Sequence, residues 1–142
     1  MKKIFILFVV TALVFIQAYG QRLKESQVPA ATKTAFQKQY PGNKVSWDKE
    51  GPGYEANFKQ NGKTMSAVLD NNGTIIEIET DISINELPKS VNSYIAKKYP
   101  GSKTKEAAKV VKANGEINYE AEVNNKDVIF DEHGKFIKET KD

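Results

Sequence analysis

Mainly apolar residues recur at helical spacing at the start of two stretches of the chain. In the first stretch, one helix face would carry Val28, Thr32, Ala35, Phe36 and Tyr40. In the second, the matching face would carry Leu87, Val91, Tyr94, Ile95 and Tyr99. Proline follows the first residue of each set and Tyr-Pro-Gly closes it. Since proline fits the first helical turn but cannot continue a helix, the pattern predicts one short amphipathic helix at the start of each stretch.

Alternating apolar and polar residues follow each predicted helix. Tyr54, Ala56 and Phe58 alternate with polar neighbours, and residues 116–123 alternate without interruption. This alternation is typical of antiparallel strands with one buried face. Turn sequences such as Asn61-Gly62 separate the runs. The strands are predicted near residues 43–49, 53–60, 63–70, 74–80, 103–113, 116–124, 126–131 and 135–140.

Residues 28–81 and 87–140 are therefore interpreted as two copies of one unit. Pro29 and Pro88 lie 59 positions apart, as do Tyr40 and Tyr99. Each copy contains one predicted helix, and one helix can cover only one face of the sheet that its four strands form. The predicted fold is α+β: two tandem helix-plus-four-strand repeats form one antiparallel sheet of about eight strands. Both helices would lie on one face, and the other face would be open to solvent.

Residues 1–20 have the pattern of a cleaved signal peptide. Lys2 and Lys3 precede an apolar run over 4–16, and Ala18-Tyr19-Gly20 is a small-x-small cleavage site. The run is shorter than the ~20 residues that span a bilayer, which favours cleavage over an uncleaved membrane anchor. No cysteine follows it, which excludes a lipoprotein. We expect a periplasmic or secreted protein that is not attached to a membrane after cleavage.

The predicted mature chain, residues 21–142, has the size of a single domain. Its formal net charge is +1, since two of the three net positive charges are Lys2 and Lys3. This balance gives no reason to expect nucleic-acid binding. The chain has no cysteine, which excludes disulfides, thiol catalysis and thiolate metal sites. No cofactor is predicted.

The residues shared by the two copies resemble the PepSY-like family, whose fold is related to that of beta-lactamase inhibitor protein. In the first copy, the resemblance rests on Val28-Pro29, Phe36, Tyr40-Pro41-Gly42, Val45-Ser46-Trp47, Gly53-Tyr54-Glu55-Ala56 and Asp70-x-x-Gly73-Thr74. In the second, it rests on Leu87-Pro88, Ile95, Tyr99-Pro100-Gly101, Tyr119-Glu120 and Asp131-x-x-Gly134. The resemblance implies a small exported protein of Bacteroidetes-type bacteria. It also implies a non-catalytic role in partner binding or inhibition.

Sequence motifs for catalysis and metal binding are sparse. His133, the single histidine, falls in a turn sequence and is interpreted as an exposed turn residue. Asp70-Asn71-Asn72-Gly73 resembles the start of a calcium loop, but the twelfth position is Asp81 rather than glutamate. A hairpin turn is the favoured interpretation, and a weak cation site stays open. No phosphate loop or nucleophile motif is present, so we expect no enzymatic activity.

The predicted open sheet face is the candidate binding surface. Inward-pointing tyrosines at 54 and 119 would turn the alternate residues outward. Trp47 has two interpretations: packing in the core at the sheet edge, or an exposed anchor for a partner. The candidate partner-binding residues are Trp47, Glu55, Asn57, Glu77, Glu79, Glu116, Asn118, Glu120 and Glu122. Lysines on the helices would give the opposite surface a positive charge, unless lysines such as Lys59 pair with the acids.

The sequence therefore favours an exported, non-enzymatic binding module. Its open acidic face would engage a protein or peptide with a basic patch, in the manner of an inhibitor. The alternative is a small-molecule or cation (calcium) sensor of the cell envelope, based on the carboxylates and the two Asp-x-x-Gly turns.

Overall fold

The computed structural model describes residues 21–141. The predicted signal peptide lies outside the described residues. Within them, two α-helices and nine β-strands alternate in the order β1, α1, β2–β5, α2, β6–β9. The helices are α1, Ala30–Gln39, and α2, Lys89–Lys98. No helix among residues 21–141 is long and apolar enough to cross a membrane.

All nine strands form one antiparallel sheet in sequential order, so each strand pairs with its neighbours in the chain. In the first half the strands are β1, Gln21–Leu23; β2, Val45–Glu50; β3, Gly53–Gln60; β4, Lys63–Leu69; and β5, Ile75–Asp81. In the second half they are β6, Thr104–Lys112; β7, Ile117–Val123; β8, Lys126–Asp131; and β9, Phe136–Lys141. Antiparallel pairing across β5 and β6 joins the two halves.

The helices begin and end where the sequence predicts. Pro29 and Pro88 occupy the N-cap positions, and neither helix needs the missing proline N–H. Tyr40 and Tyr99 are the C-cap residues, and the glycine two positions later has a positive φ in both copies. Glycine adopts this conformation without a steric penalty, which permits the chain to reverse.

The core consists of two hydrophobic clusters, one for each helix. The first joins Phe36 of α1 to Trp47, Phe58 and other strand residues. The second joins Val91 and Ile95 of α2 to strand residues that include Phe130. Each cluster contains the apolar stripe of its helix and the inward residues of the strands beneath it. Burial of this apolar surface is the main force that holds the helices on the sheet.

The structure differs from the prediction in the number of strands: it has nine rather than about eight. The additional strand is β1, which pairs with β2 through Gln21–Lys49, Arg22–Asp48 and Leu23–Trp47. Three residues are too few to show alternation, so only pairing with β2 defines this strand. Two 3-10 helices, Glu25–Gln27 and Ile84–Glu86, precede the α-helices and were likewise not predicted.

Candidate functional site

Strand register divides the sheet residues between two faces, because directly opposed residues in an antiparallel pair point to the same side. One row of opposed residues runs through the first core cluster: Trp47, Ala56 and Ala67. The alternate rows carry the acidic residues. They run through Glu55, Val68, Glu77 and Lys112; through Ser66, Glu79, Val110 and Asn118; and through Asp81, Ala108, Glu120, Ile129 and Lys138. We call the face with these acidic rows the open face.

Trp47 does not belong to the open face. Its side chain is 3% exposed and packs edge-on against Phe36, with ring centroids 5.6 Å apart. The proposed exposed anchor is therefore wrong, and the core interpretation of this tryptophan is confirmed. Trp47 lies directly opposite Ala56 in the sheet, so its side chain points to the core rather than to solvent. Trp47 Nε1 is buried without a hydrogen-bond partner in the described part of the chain.

The other candidate residues fall into two groups on the open face. Glu55 and Asn57 lie on β3 in the first half of the sheet. The remaining six come together around β5, β6 and β7, where they line a cavity and a groove. These six are Glu77, Glu79, Glu116, Asn118, Glu120 and Glu122.

The cavity is lined mainly by carboxylates. Its volume is about 60 Å³, enough for a few water molecules or one cationic head group. Two alanines of β6, Ala107 and Ala108, supply the apolar part of its wall. The carboxylates that line it are Glu79, Asp81, Glu106, Glu120, Glu122 and Asp127. They are spread over β5, β6, β7 and β8, so this concentration of charge exists only in the folded sheet.

Burial and neighbouring negative charges raise the pKa of Glu79 to about 8. Burial is the larger cause, since it removes the carboxylate from water. The charges that add to it all belong to carboxylates, first Glu120 and then Glu55, Asp81 and Glu77. At neutral pH Glu79 is therefore mostly protonated, because the folded sheet disfavours its charged form.

The pKa of Glu120 is also raised, by a smaller amount than that of Glu79. Burial, followed by the charges of Asp127 and Glu77, raises its pKa to about 7. Lys138 and Lys112 act in the opposite direction and lower it. Glu50, at the end of β2, also has a raised pKa, caused by burial and by the charges of Glu55 and Glu77. The negative charge of the open face is thus only partly compensated.

The groove adjoins the cavity and has a volume of about 400 Å³. Glu120 lines both. Val110 and Asn118 lie in the groove and are buried, at 2% and 4% exposure, although they belong to the open face. Their burial shows that neighbouring side chains cover this part of the face. The groove is completed by Glu77, Lys112, Glu116, Ile129, Ile137 and Lys138.

Several acids of the open face are held by ion pairs. Arg22 Nε lies 3.1 Å from Asp48 Oδ1 in an ion pair, and Asn57 Nδ2 donates a hydrogen bond to Asp48 Oδ2 at 2.9 Å. Lys112 Nζ lies 3.0 Å from Glu116, and Lys105 Nζ lies 3.2 Å from Glu122. Glu79 and Glu120, near the junction of the two halves, take part in no ion pair among the described residues.

The two Asp-x-x-Gly sequences are turns. Asp70 Oδ1 accepts hydrogen bonds from the backbone N–H groups of Asn72 and Thr74, both at 2.8 Å. Asp131 Oδ1 accepts the equivalent bonds from His133 and Lys135, both at 2.9 Å. These bonds lower the pKa of both aspartates. Since each carboxylate is engaged by its own turn, the hairpin interpretation is confirmed.

His133 lies at the tip of the second turn with its side chain 82% exposed, so the prediction of an exposed turn residue is confirmed. Among residues 21–141, no group of three or more His, Asp or Glu side chains is arranged to hold a metal ion. The carboxylates of the cavity line it without converging on a common point.

Sequence reasoning missed several residues of the site. Asp81, Glu106 and Asp127 lie at the ends of strands or beside the register shift between Thr104 and Ala107, where simple alternation fails. The sequence gives no reason to place Ile129 and Ile137 in the site, because apolar residues in alternating strands are expected to face the core. The register places Ile129 opposite Glu120 and Lys138 instead, on the open face.

The chain matches the model of the family described as "Putative beta-lactamase-inhibitor-like, PepSY-like" over residues 14–77 and 53–138. It belongs to this family. A comparison with curated proteins gives no match.

Solved structures from Bacteroides share the fold. A BLIP-like protein from Bacteroides fragilis is 25% identical, with a TM-score of 0.60 over 79% of this chain and 85% of that chain. A DUF2874 family protein from Bacteroides uniformis is 24% identical, with a TM-score of 0.70 over 80% and 88%. A structure from Bacteroides eggerthii, described as one of "putative periplasmic proteins", is 17% identical, with a TM-score of 0.71 over 80% and 88%.

Proposed function

We propose that this protein is an exported, non-enzymatic binding module that engages a protein or peptide with a basic patch through the open face. The single observation that carries the proposal is the cavity on the folded sheet, where six carboxylates, Glu79 and Glu120 among them, lie close together and repel one another. A positively charged partner would relieve this repulsion and would be attracted from a distance.

The architecture supports this role. We infer that the fold is a tandem repeat in which both helices cover one face, because the register connects the strand residues of both core clusters to the same side. Two overlapping family matches agree with a repeat. A large sheet face without a helix over it is then available to a partner. Export would follow from the sequence pattern of residues 1–20, and the relatives described as periplasmic agree with it.

The calcium-sensor alternative gains no support from the site, since both Asp-x-x-Gly turns use their carboxylates internally. One relative is described as BLIP-like, which suggests that this protein could bind its partner as an inhibitor.

Affinity capture from a native envelope extract tests the proposal. The bait is the full chain, compared with the triple variant Glu55→Lys, Glu120→Lys, Glu122→Lys. A control with Glu25→Lys and Glu132→Lys reverses exposed charges away from the cavity and groove. We expect one saturable protein that dissociates at high salt, is retained by the control and is lost from the triple variant. Equal recovery by all three baits, each shown to be folded by circular dichroism, would contradict the proposal.

A further inference from the structure

The cavity and the groove differ in chemistry but meet at Glu120, which lines both. The cavity is acidic, and the groove adds exposed aliphatic surface. Ile137, on the edge strand β9, is 47% exposed, the highest value among the exposed large hydrophobic residues of the described chain. Ile129 is half-buried beside Glu120 and opposite Lys138. A ligand that fills both spaces must therefore combine an aliphatic part with a positive head.

A free metal ion does not meet this description. Binding of such an ion requires several ligands that converge on one point, and residues 21–141 contain no such group. The carboxylates instead line a space of about 60 Å³ from several sides. This arrangement suits an organic cation, whose several N–H donors can reach acceptors in different directions.

The charges around the cavity also favour an organic cation as the ligand. Glu122 and Glu116 each have a lysine within 3.2 Å, whereas no ion pair among the described residues involves Glu79 or Glu120. Burial raises the pKa values of both, and neighbouring negative charges add to it: that of Glu120 at Glu79, and those of Asp127 and Glu77 at Glu120. A cation placed between them would replace the water lost on burial and remove the repulsion.

We propose that the cavity and groove together form a docking site for a lysine or arginine side chain of the partner, with its charged head among Glu79, Glu120 and Glu122 and its aliphatic stem against Ile129 and Ile137. Lysine and arginine both carry an apolar stem and a charged head with several donors. The inference rests on the proposed function and locates it where the two halves of the open face meet. Charge complementarity is its main physical basis.

A titration followed by nuclear magnetic resonance tests this assignment. The probe is the peptide acetyl-Lys-Lys-Lys-amide, added to the isotopically labelled full chain. The matched neutral probe carries Nε-acetylated lysines, and an acetyl-Arg-Arg-Arg-amide peptide separates arginine from lysine. We expect the cationic peptides to shift amide signals of β5, β7, β8 and β9, and the neutral peptide to shift none of them.

Two variants and their controls make the test specific. Glu79→Gln with Glu120→Gln should weaken binding of the cationic peptide about tenfold, since it removes the acids that would surround the head group. Glu25→Gln with Glu132→Gln replaces the same number of carboxyl groups at exposed positions elsewhere and should change affinity by less than about twofold. Ile137→Thr should weaken binding, whereas Ile84→Thr, at another exposed isoleucine, should not. The glutamine substitutions relieve repulsion, so they should not unfold the sheet.

Other results would overturn the inference in distinguishable ways. If Glu50→Gln with Glu55→Gln abolishes binding while Glu79→Gln with Glu120→Gln does not, the docking site is wrong and the open face remains the binding surface. If neither pair matters, both the docking site and the proposed function fail. Equal shifts of the same signals by calcium chloride at the same concentration would assign the cavity to a metal ion and contradict the inference.

Discussion

At the scale of single residues, Glu79 is the group whose ionisation is most strongly coupled to the fold. In the folded sheet its pKa is about 8, against an ordinary value of 4.5. The folded protein therefore binds more protons than the unfolded chain between these two values. The free energy of unfolding should fall as pH rises through that window. The groups that influence Glu79 and its neighbour Glu120 are Glu55, Glu77, Asp81, Lys112, Asp127 and Lys138.

Glu79→Gln tests this coupling. The wild-type melting temperature should fall between pH 5 and pH 8.5, and the variant should lose much less over the same range, because glutamine has no charge to bury. Each pKa unit that separates folded from unfolded Glu79 changes the free energy of unfolding by about 1.4 kcal/mol. For a domain of this size, that is about 3–6 °C in melting temperature. Differential scanning calorimetry provides the measurement. If the melting temperatures of the wild type and the variant change in parallel with pH, Glu79 does not cause the pH dependence. As a control, the melting temperature of Glu25→Gln should follow that of the wild type.

The tryptophan shows where residue-level prediction from sequence fails. Trp47 and Glu55 both occur in alternating segments, and alternation fixes which residues share a face but not which face is buried. The structure resolves this for Trp47 through its contact with Phe36. For Glu55, Glu77 and Glu79 the predicted face is the observed one, because a row of glutamates cannot be buried in an apolar core without a large cost.

At the scale of elements, each helix is fixed to the sheet by the Asp-x-x-Gly turn of its own half. Thr32 Oγ1 of α1 donates a hydrogen bond to the backbone oxygen of Asp70 at 2.8 Å. In the second half, Ser90 Oγ of α2 donates a hydrogen bond to the backbone oxygen of His133, in the other Asp-x-x-Gly turn, at 2.9 Å. Gly73 and Gly134 lie against the same helices so closely that a Cβ atom would collide with them. The recurrence of this sequence thus has a structural explanation in both halves.

Gly73→Ala should disrupt this contact. A Cβ at this position would lie 2.7 Å from the backbone oxygen of Ala31, and φ is +85°. Gly115→Ala is the matched control, because its φ is also +85° but nothing lies within 4 Å of its Cβ. We expect a loss of about 1 kcal/mol for the control and about 2–4 kcal/mol for Gly73→Ala, measured by urea unfolding. Equal losses would mean that the helix contact contributes nothing.

The helices and eight of the strands could be predicted from sequence because proline, glycine and periodicity mark them locally. Strand β1 could not, since pairing with β2 alone defines it. The second 3-10 helix had a usable signal: Ser83 and Glu86 form a capping box, with Ser83 N–H donating to Glu86 Oε2 at 2.8 Å. The register shifts in β4, β6 and β8 depend on strand pairing and have no equally local signature.

At the scale of the whole molecule, the two halves of the sheet are not equivalent. In the first half, Asp48 is held by Arg22 and Asn57. At the junction of the halves, the acids of β5 meet those of β6, β7 and β8 around a cavity. The site thus depends on the junction of the halves at β5 and β6, which the sequence repeat alone does not describe.

The most direct test of the central claim compares the two surfaces of the protein in one capture experiment. One bait reverses acids of the open face, with Glu79→Lys and Glu120→Lys, and the other reverses exposed helix lysines, with Lys38→Glu and Lys97→Glu. The quantity measured is the amount of partner recovered at low salt by each folded bait. If the open face binds the partner, the first bait loses it and the second retains it. Retention by the first bait and loss from the second would instead assign binding to the helices and rule out the open face as the binding surface.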